Sequence, residues 1–530
     1  MTGVQDEVPQ GLRKVMAWIH GWLGLLAGWM LFAMFLTGTA SYFRPEITQW
    51  MQPEMRAAPV PPERSAADAV RYLQTLAGDA AQWAIYLPDT RTAVTRAYVQ
   101  DAPPPPGSPP KKRRPEIVID PATGVQTTAR DTRGGEQFYR FHFQLQLPHP
   151  WGRWLAGLCG MFMLVAIISG VITHKRIFAD FFLLRWGKGQ RSWLDAHNVS
   201  AVLALPYHAM ITYTGLITLA ALYMPWPART NFPTPDAYYR AMTGEPPETP
   251  ATGRAVPLAS VSAMVRAAER EWPGGRASRL IVRHPGDAAA TVTVVRHAGD
   301  GMNARGATIT YAGTDGRRLA ASAPPGAGVA TAGVMLGLHL GSFAGPAMRW
   351  LFFLLGLTGT AMVGTGLLLW TAKRRRPGAA PFLGLRLVER LNIAAVAALP
   401  AGMAAFLLAN RLIPAGQAGR ADTEVAAMFW IWGGVAVAGW LRPARRAWAE
   451  TLALSAVLFA AIPVVNAITT DRGLDRTLFG DGDALFRAFD LAMLAIALLL
   501  AFGASRAGRR PVPARAPRRR IERKEPAHAG

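Results

Sequence analysis

Eight stretches of this chain are long and apolar enough to cross a bilayer, and the first four carry a histidine pattern that occurs twice. They lie near residues 15–43, 153–174, 197–223, 348–371, 388–412, 424–441, 450–468 and 485–503, with Pro400 and Pro463 blurring the ends of the later ones. His20 opens the first stretch and Thr37-Gly38 lies near its end; His197 opens the third, and Thr214-Gly215 falls at the same offset. His142 precedes Arg153-Trp154 and a segment ending in Ser169-Gly170 before His174. Likewise His339 precedes Arg349-Trp350 and a segment ending in Thr365-Gly366 before Trp370 and Lys373-Arg374. An imidazole is costly in lipid unless it is paired or ligates something, so the repetition suggests a cofactor, and haem is the first candidate.

Composition agrees with a membrane protein. Apolar residues make up 51% of the chain and charged ones 17%, with the charges gathered between the apolar runs. A net charge of +23 would point to nucleic acid in a soluble protein. Here the basic residues sit in short loops between spans, so no nucleic-acid partner is expected. Cys159 is the sole cysteine and lies within a span, which excludes disulfides, zinc–cysteine clusters and iron–sulfur ligation inside one chain. The first apolar run is too long for the core of a cleaved signal and reads as an uncleaved span.

Threading the spans alternately puts Lys175, Arg176, Arg185, Lys188 and Arg191 on the same side as Lys373–Arg376, Arg442, Arg445, Arg446 and the tail Arg518–Arg520. That side is expected to be cytoplasmic, with both termini on it and anionic lipid within reach. The two long connections, 44–150 and 224–347, then face the other way. Each has a helical pattern (65–76 and 258–269) followed by strand patterns (83–87, 93–99 and 116–120; 278–282, 291–296 and 308–311). The last strand of each enters a tight turn at Gly124 or Gly316. Pro103–Pro110 with Lys111–Arg114 reads as an exposed insertion. Residues 15–375 thus read as two parallel copies of span, outer α+β module, span, and the last four spans as an appended bundle.

His20-Gly-Trp-Leu-Gly24 with Leu36-Thr-Gly38, the Asp120-Pro-Ala-Thr-Gly124 turn, and His339-Leu-Gly-Ser-Phe with Arg349-Trp350 carry a family likeness. Over roughly residues 12–375 the chain resembles the PepSY-associated transmembrane proteins, often called iron-regulated membrane proteins, which include siderophore reductases. The resemblance implies an α-helical integral protein of the bacterial inner membrane, with a four-span core, here duplicated, and periplasmic α+β PepSY-like modules; the four C-terminal spans go beyond the family pattern. The expected segments are a cytoplasmic N-terminus (1–14), modules at 44–150 and 224–347, a cytoplasmic loop (175–196), the bundle (388–503) and a basic cytoplasmic tail (504–530). It further implies haem b, one or two groups, ligated by histidines, and reduction of a ferric siderophore.

His20 and His197, at equivalent positions on the cytoplasmic side, are the favoured pair for one haem, against a role as interfacial histidines bonded to carbonyl or lipid phosphate. His142 and His339, in the stretches that return from the outer modules, are candidates for a second haem or simply surface residues of amphipathic connectors. His208 lies eleven residues after His197. On a straight helix that is nearly the same face, roughly 16 Å deeper. Leu31 takes its place in the first copy, so His208 is a candidate to replace a member of the outer pair. His174 is a candidate to stand in for His20, or to bond a haem propionate with Lys175 and Arg176. His149, His284, His297 and His528 read as ordinary exposed residues.

Two haems at different depths would let electrons cross the membrane and reduce iron outside. The chain has no Gly-x-Gly-x-x-Gly turn after a strand, so a membrane quinol or another protein is the expected donor. The competing reading is a non-enzymatic PepSY protein that regulates a protease, senses a ligand or assists an iron transporter. Proton-coupled transport is a third, weakened by the scarcity of acidic residues within the spans.

Overall fold

The computed structural model describes residues 10–56, 60–103, 114–174, 183–243, 249–376, 378–479 and 482–509. Residues 104–113 of the expected insertion, Lys175, Arg176, the Arg518–Arg520 tail and His528 lie outside them.

A long helix α1 (Gln10–Ser41) leads into α2 (Arg44–Met51) and then into the extramembrane α3 (Pro62–Ala77) with strands β1 (Gln82–Tyr86), β2 (Thr95–Gln100) and β3 (Ile117–Ile119). The chain returns through α4 (Glu136–Gln144) and crosses as α5 (Trp151–Thr173). Helices α6 (Gln190–Leu203) and α7 (Leu205–Thr218) follow, then short α8 (Ala220–Tyr223), α9 (Trp226–Asn231) and α10 (Pro235–Thr243). The second extramembrane segment holds α11 (Val261–Glu271) and β4 (Ala277–Arg283), β5 (Thr291–Arg296), β6 (Thr308–Ala312) and β7 (Arg318–Ala321). It returns through α12 (Ala327–Leu340) to α13 (Pro346–Arg374). The C-terminal bundle comprises α14 (Leu383–Asn392), a π-helical segment Ile393–Ala398, α15 (Leu399–Leu412), α16 (Arg420–Trp440), α17 (Ala444–Thr469), α18 (Leu474–Thr477) and α19 (Ala484–Gly508).

Among the described residues six helices are long and apolar enough to cross a membrane: α1, α5, α13, the run Leu383–Leu412, α17 and α19. The α6–α7 pair makes a seventh if it is taken as one broken span. Expected as a span at 424–441, α16 is not among them, and its first turns carry Arg420, Asp422 and Glu424. Pro400 does not end its helix, because the wider π-helical turn just before it accommodates the missing N–H and the ring. Pro463 likewise sits inside a continuous α17.

The straight third span expected at 197–223 is corrected. Its two helices meet at 69°, at Ala204. Pro206, in the first turn of α7, has no N–H to bond the carbonyl four residues back, and its ring crowds that carbonyl. The projection that set His208 on the same helix face as His197 therefore fails.

The strands expected as two modules form one antiparallel sheet of order β3-β2-β1-β4-β5-β6-β7. The junction is β1 on β4, with Gln82 opposite Arg283 and Tyr86 opposite Arg279. Helices α3 and α11 cover one face, burying Leu73, Trp83, Ile85, Leu280, Val282 and Ile309. The alternation along a strand then turns Gln82, Ala84 and Tyr86 of β1, and Arg96, Tyr98 and Gln100 of β2, to the other face. Gly124 and Gly316 close their turns at φ of 73° and 74°, where an L side chain is strained. The bundle is tied to the first four spans by polar contacts within the helices, Trp29 Nε1 donating to Asn392 Oδ1 (2.8 Å) and Asn392 Nδ2 to the Leu367 carbonyl (3.1 Å).

Candidate functional site

One local arrangement occurs four times. His20 Nδ1 lies 2.8 Å from the Ala166 carbonyl, His142 Nδ1 2.7 Å from that of Met34, His197 Nδ1 2.8 Å from that of Met362, and His339 Nδ1 3.0 Å from that of Ile211. A carbonyl only accepts, so Nδ1 carries the proton in each ring, and Nε2 keeps its lone pair. In every case the accepting carbonyl lies four residues before a glycine: Gly170, Gly38, Gly366 and Gly215. The ring lies over that glycine. An added Cβ would stand 3.1 Å from a ring atom of His20 or His197, 2.8 Å from His339 and 2.5 Å from His142.

The residue before each glycine is Ser169, Thr37, Thr365 or Thr214, and its hydroxyl donates to the carbonyl four residues earlier in its own helix at 2.6–2.7 Å. That hydroxyl is thereby satisfied inside the helix. The Ser/Thr-Gly dipeptides that served as sequence landmarks are thus the docking points of the histidines on neighbouring helices.

The four histidines meet as two pairs. His20 of α1 and His197 of α6 have ring centroids 6.1 Å apart with planes at 68°; His142 of α4 and His339 of α12 are 5.9 Å apart at 30°. With ring centres about 6 Å apart and each Nδ1 already bonded to a carbonyl, the Nε2 nitrogens are the candidate donors of each pair. Among the described residues no group of three or more His, Cys, Asp or Glu could hold a metal ion.

His208 and His174 join neither pair. His208 is fully buried, its Nε2 is 3.3 Å from Thr358 Oγ1, its Nδ1 has no partner, and its ring contacts Phe35 at 6.1 Å. Phe35 precedes Gly38 in α1, and Gly359, against which His208 also lies, falls between Gly356 and Gly366 in α13. His208 therefore stands at a depth between the two pairs. His174 Nε2 is 3.1 Å from Asn198 Nδ2, and its Nδ1 has no partner among the described residues.

A cavity of about 350 Å³ surrounds the His142–His339 pair, lined also by Tyr42, Tyr207, Arg44, Arg91 and Arg349. Tyr42 and Tyr207 share a hydrogen bond of 2.9 Å. Arg91 makes a forked pair with Glu46 (2.8 and 2.7 Å) and also bonds the Tyr42 carbonyl (2.7 Å), while Arg349 lies 3.6 Å from the same Glu46. Sequence reasoning missed Glu46 and Arg91; the acid directly after the first span, in Arg44-Pro45-Glu46, was the available signal.

Arg44, Pro45, Arg91 and Ala298 also line a second, open cavity of about 1700 Å³ beneath the uncovered face of the sheet. The wall between the cavities is steadied by Asp89, which accepts from His297 Nε2 (3.2 Å) and from the backbone N–H groups of Arg91 (2.8 Å) and Thr92 (2.7 Å). Burial pulls the Asp89 pKa up, but these hydrogen bonds together outweigh it and hold the carboxyl below its ordinary value. His297, read from sequence as an ordinary exposed residue, is only 25% exposed at its side chain and part of this wall.

Two comparisons bear on this arrangement. Over 278 residues the chain is 30% identical to an uncharacterized protein of Pseudomonas aeruginosa, spanning 50% of this chain and 69% of that one. The family model described as "PepSY-associated TM region" matches residues 17–373, which take in every histidine of the two pairs, their glycines and the whole sheet. The chain belongs to the PepSY-associated TM region family.

Proposed function

We propose that the chain is a haem b protein of a bacterial inner membrane that carries electrons to the sheet side and reduces a ferric siderophore there, releasing ferrous iron. The observation that carries this reading is the pair of neighbouring imidazoles near each end of α1, every ring anchored through Nδ1 and leaving Nε2 as its remaining donor. Two nitrogen donors, with no third candidate ligand beside them among the described residues, are too few for a bare ion; His20 with His197, and His142 with His339, would hold a haem, which brings its own ring nitrogens. The donor set suits haem.

When bound, haem supplies one-electron exchange between ferric and ferrous iron. The chain's own residues do the rest. The carbonyl bond at Nδ1 fixes each imidazole's tautomer and orientation. Arg44, Arg91 and Arg349 supply cationic groups at the outer pair, where haem propionates would need them. The arginine-rich loops support a cytoplasmic His20–His197 end and a periplasmic sheet. A membrane quinol, or another protein, is the donor. Each electron converts one ferric ion to ferrous, which hard oxygen donors hold more weakly, so the metal leaves the chelate.

The visible spectrum of the purified protein tests the reading. A Soret band with sharp α and β bands on reduction, and reoxidation by a ferric siderophore, is the expected result. A colourless preparation overturns it in favour of a non-enzymatic PepSY protein that regulates a protease, senses a ligand or assists a transporter.

A further inference from the structure

The uncovered sheet face is built unevenly in charge. Of the arginines lining the large cavity, Arg44, Arg96, Arg114 and Arg133 each hold a carboxylate: Glu136, Glu116, Asp101 and Asp422. Arg279 of β4 and Arg305, between β5 and β6, have no carboxylate partner among the described residues, and the Nε of each is buried without a hydrogen bond. The Arg279 guanidinium lies 5.6 Å from the centre of the Tyr86 ring, its Nη1 3.4 Å from the hydroxyl. Strand register explains the grouping, since Tyr86 stands opposite Arg96 on one side and Arg279 on the other. Tyr98, two residues beyond Arg96 on the same face, meets Tyr86 edge-on with centroids 5.7 Å apart. Both rings are largely open to the cavity, at 41% and 38% exposure.

We infer that this cavity takes an anionic ferric chelate whose iron donors are aryl oxygens, a catecholate or phenolate complex, with Arg279 and Arg305 facing its charge and Tyr86 and Tyr98 its rings. The inference rests on the reductase reading and names the substrate class for it. A guanidinium that lines the cavity without a carboxylate partner is available to a charged guest, so a ligand that brings negative charge is bound in preference to one that leaves the group unpaired. Planar aryl groups meet tyrosine faces and edges, and the guanidinium can stack on either. A volume of about 1700 Å³ exceeds what a small metabolite fills and leaves room for a large chelate. The cavity's shared wall with the His142–His339 cavity puts such a ligand beside the outer pair.

The test uses gallium(III) complexes, which match ferric ones in charge and shape but are not reduced, so binding is read apart from electron transfer. Titration calorimetry on the purified full-length protein compares a trianionic gallium tris-catecholate with an uncharged gallium trihydroxamate. The anionic complex is expected to bind at least about tenfold more tightly, with affinity falling as salt rises. Arg279→Gln and Arg305→Gln should each reduce that preference by about threefold or more. Arg279→Lys should retain part of it. Arg317→Gln, which deletes the same charge from an exposed turn away from the cavity, should change nothing. Equal affinity for the two complexes, or an undiminished preference in both glutamine variants, overturns the inference. A haem protein that reduces uncharged ferric trihydroxamate as well as the tris-catecholate overturns it while the reductase reading stands. A colourless protein that still prefers the anionic complex overturns the reductase reading and leaves the site.

Discussion

The two histidine pairs share an anchor and differ in almost everything around it. His20 sits on the long α1 and His197 on α6 of the bent α6–α7 pair, and both dock on long helices, α5 and α13, at glycines where the ring and a hypothetical Cβ are 3.1 Å apart. His142 and His339 sit on the short returning helices α4 and α12, dock more tightly on α1 and α7, and border a cavity. The inner pair belongs to the spans; the outer pair is held by segments that hang from the sheet. The comparison teaches that the imidazole geometry is set by the glycine-backed carbonyl and that access is set by the elements delivering the ring.

The largest effect should come from removing a ring. His197→Ala is expected to abolish one of two haem signals, and adding His20→Ala should do no further spectral damage, because both rings serve one iron. His142→Ala should abolish the other signal, while His208→Leu should leave both. Reduced-minus-oxidised spectra and haem content decide the matter, and additive losses for His20 and His197 would break the pairing.

A smaller effect separates the pairs by packing. Gly38→Ala and Gly215→Ala put a methyl within 2.5 and 2.8 Å of the outer rings, whereas Gly170→Ala and Gly366→Ala leave 3.1 Å at the inner ones. The outer substitutions should destabilise by about 1–3 kcal/mol and perturb the outer spectrum, and the inner ones by less than about 1 kcal/mol. Thermal unfolding of the four variants checks this, and equal effects would remove the distinction.

The smallest effect concerns the wall beside the outer pair. Since folding lowers the Asp89 pKa, its contribution is fully present above the ordinary value of 3.8 and is lost as pH falls through the lower folded-state value. The term is about 1 kcal/mol or less for a partly exposed group. Melting temperature against pH should therefore fall more steeply at the acid end for the native chain than for Asp89→Asn, and parallel curves would refute the assignment.

Much of this was legible in the chain. Apolar length marked the long helices, and duplication singled out His20, His197, His142 and His339 and even the glycines that receive them, because a repeated motif outweighs any single residue's ambiguity. The bend at Ala204 was also written there, in Pro206, but helical projection assumes a straight axis and carried His208 to the wrong place. Local alternation reports a strand and not its neighbour, so the β1–β4 junction was invisible. The Glu46–Arg91–Arg349 cluster and the Asp89–His297 contact join residues far apart in sequence, and no spacing rule reaches them.

The β1–β4 junction limits how the extramembrane part can move. Five registered residue pairs run from Gln82–Arg283 to Tyr86–Arg279, and parting the two halves would break the ladder in the middle of the sheet. The halves cannot swing open like a clamshell. A bulky guest would have to enter and leave sideways, through the gap between sheet and membrane helices, with the sheet acting as a rigid roof.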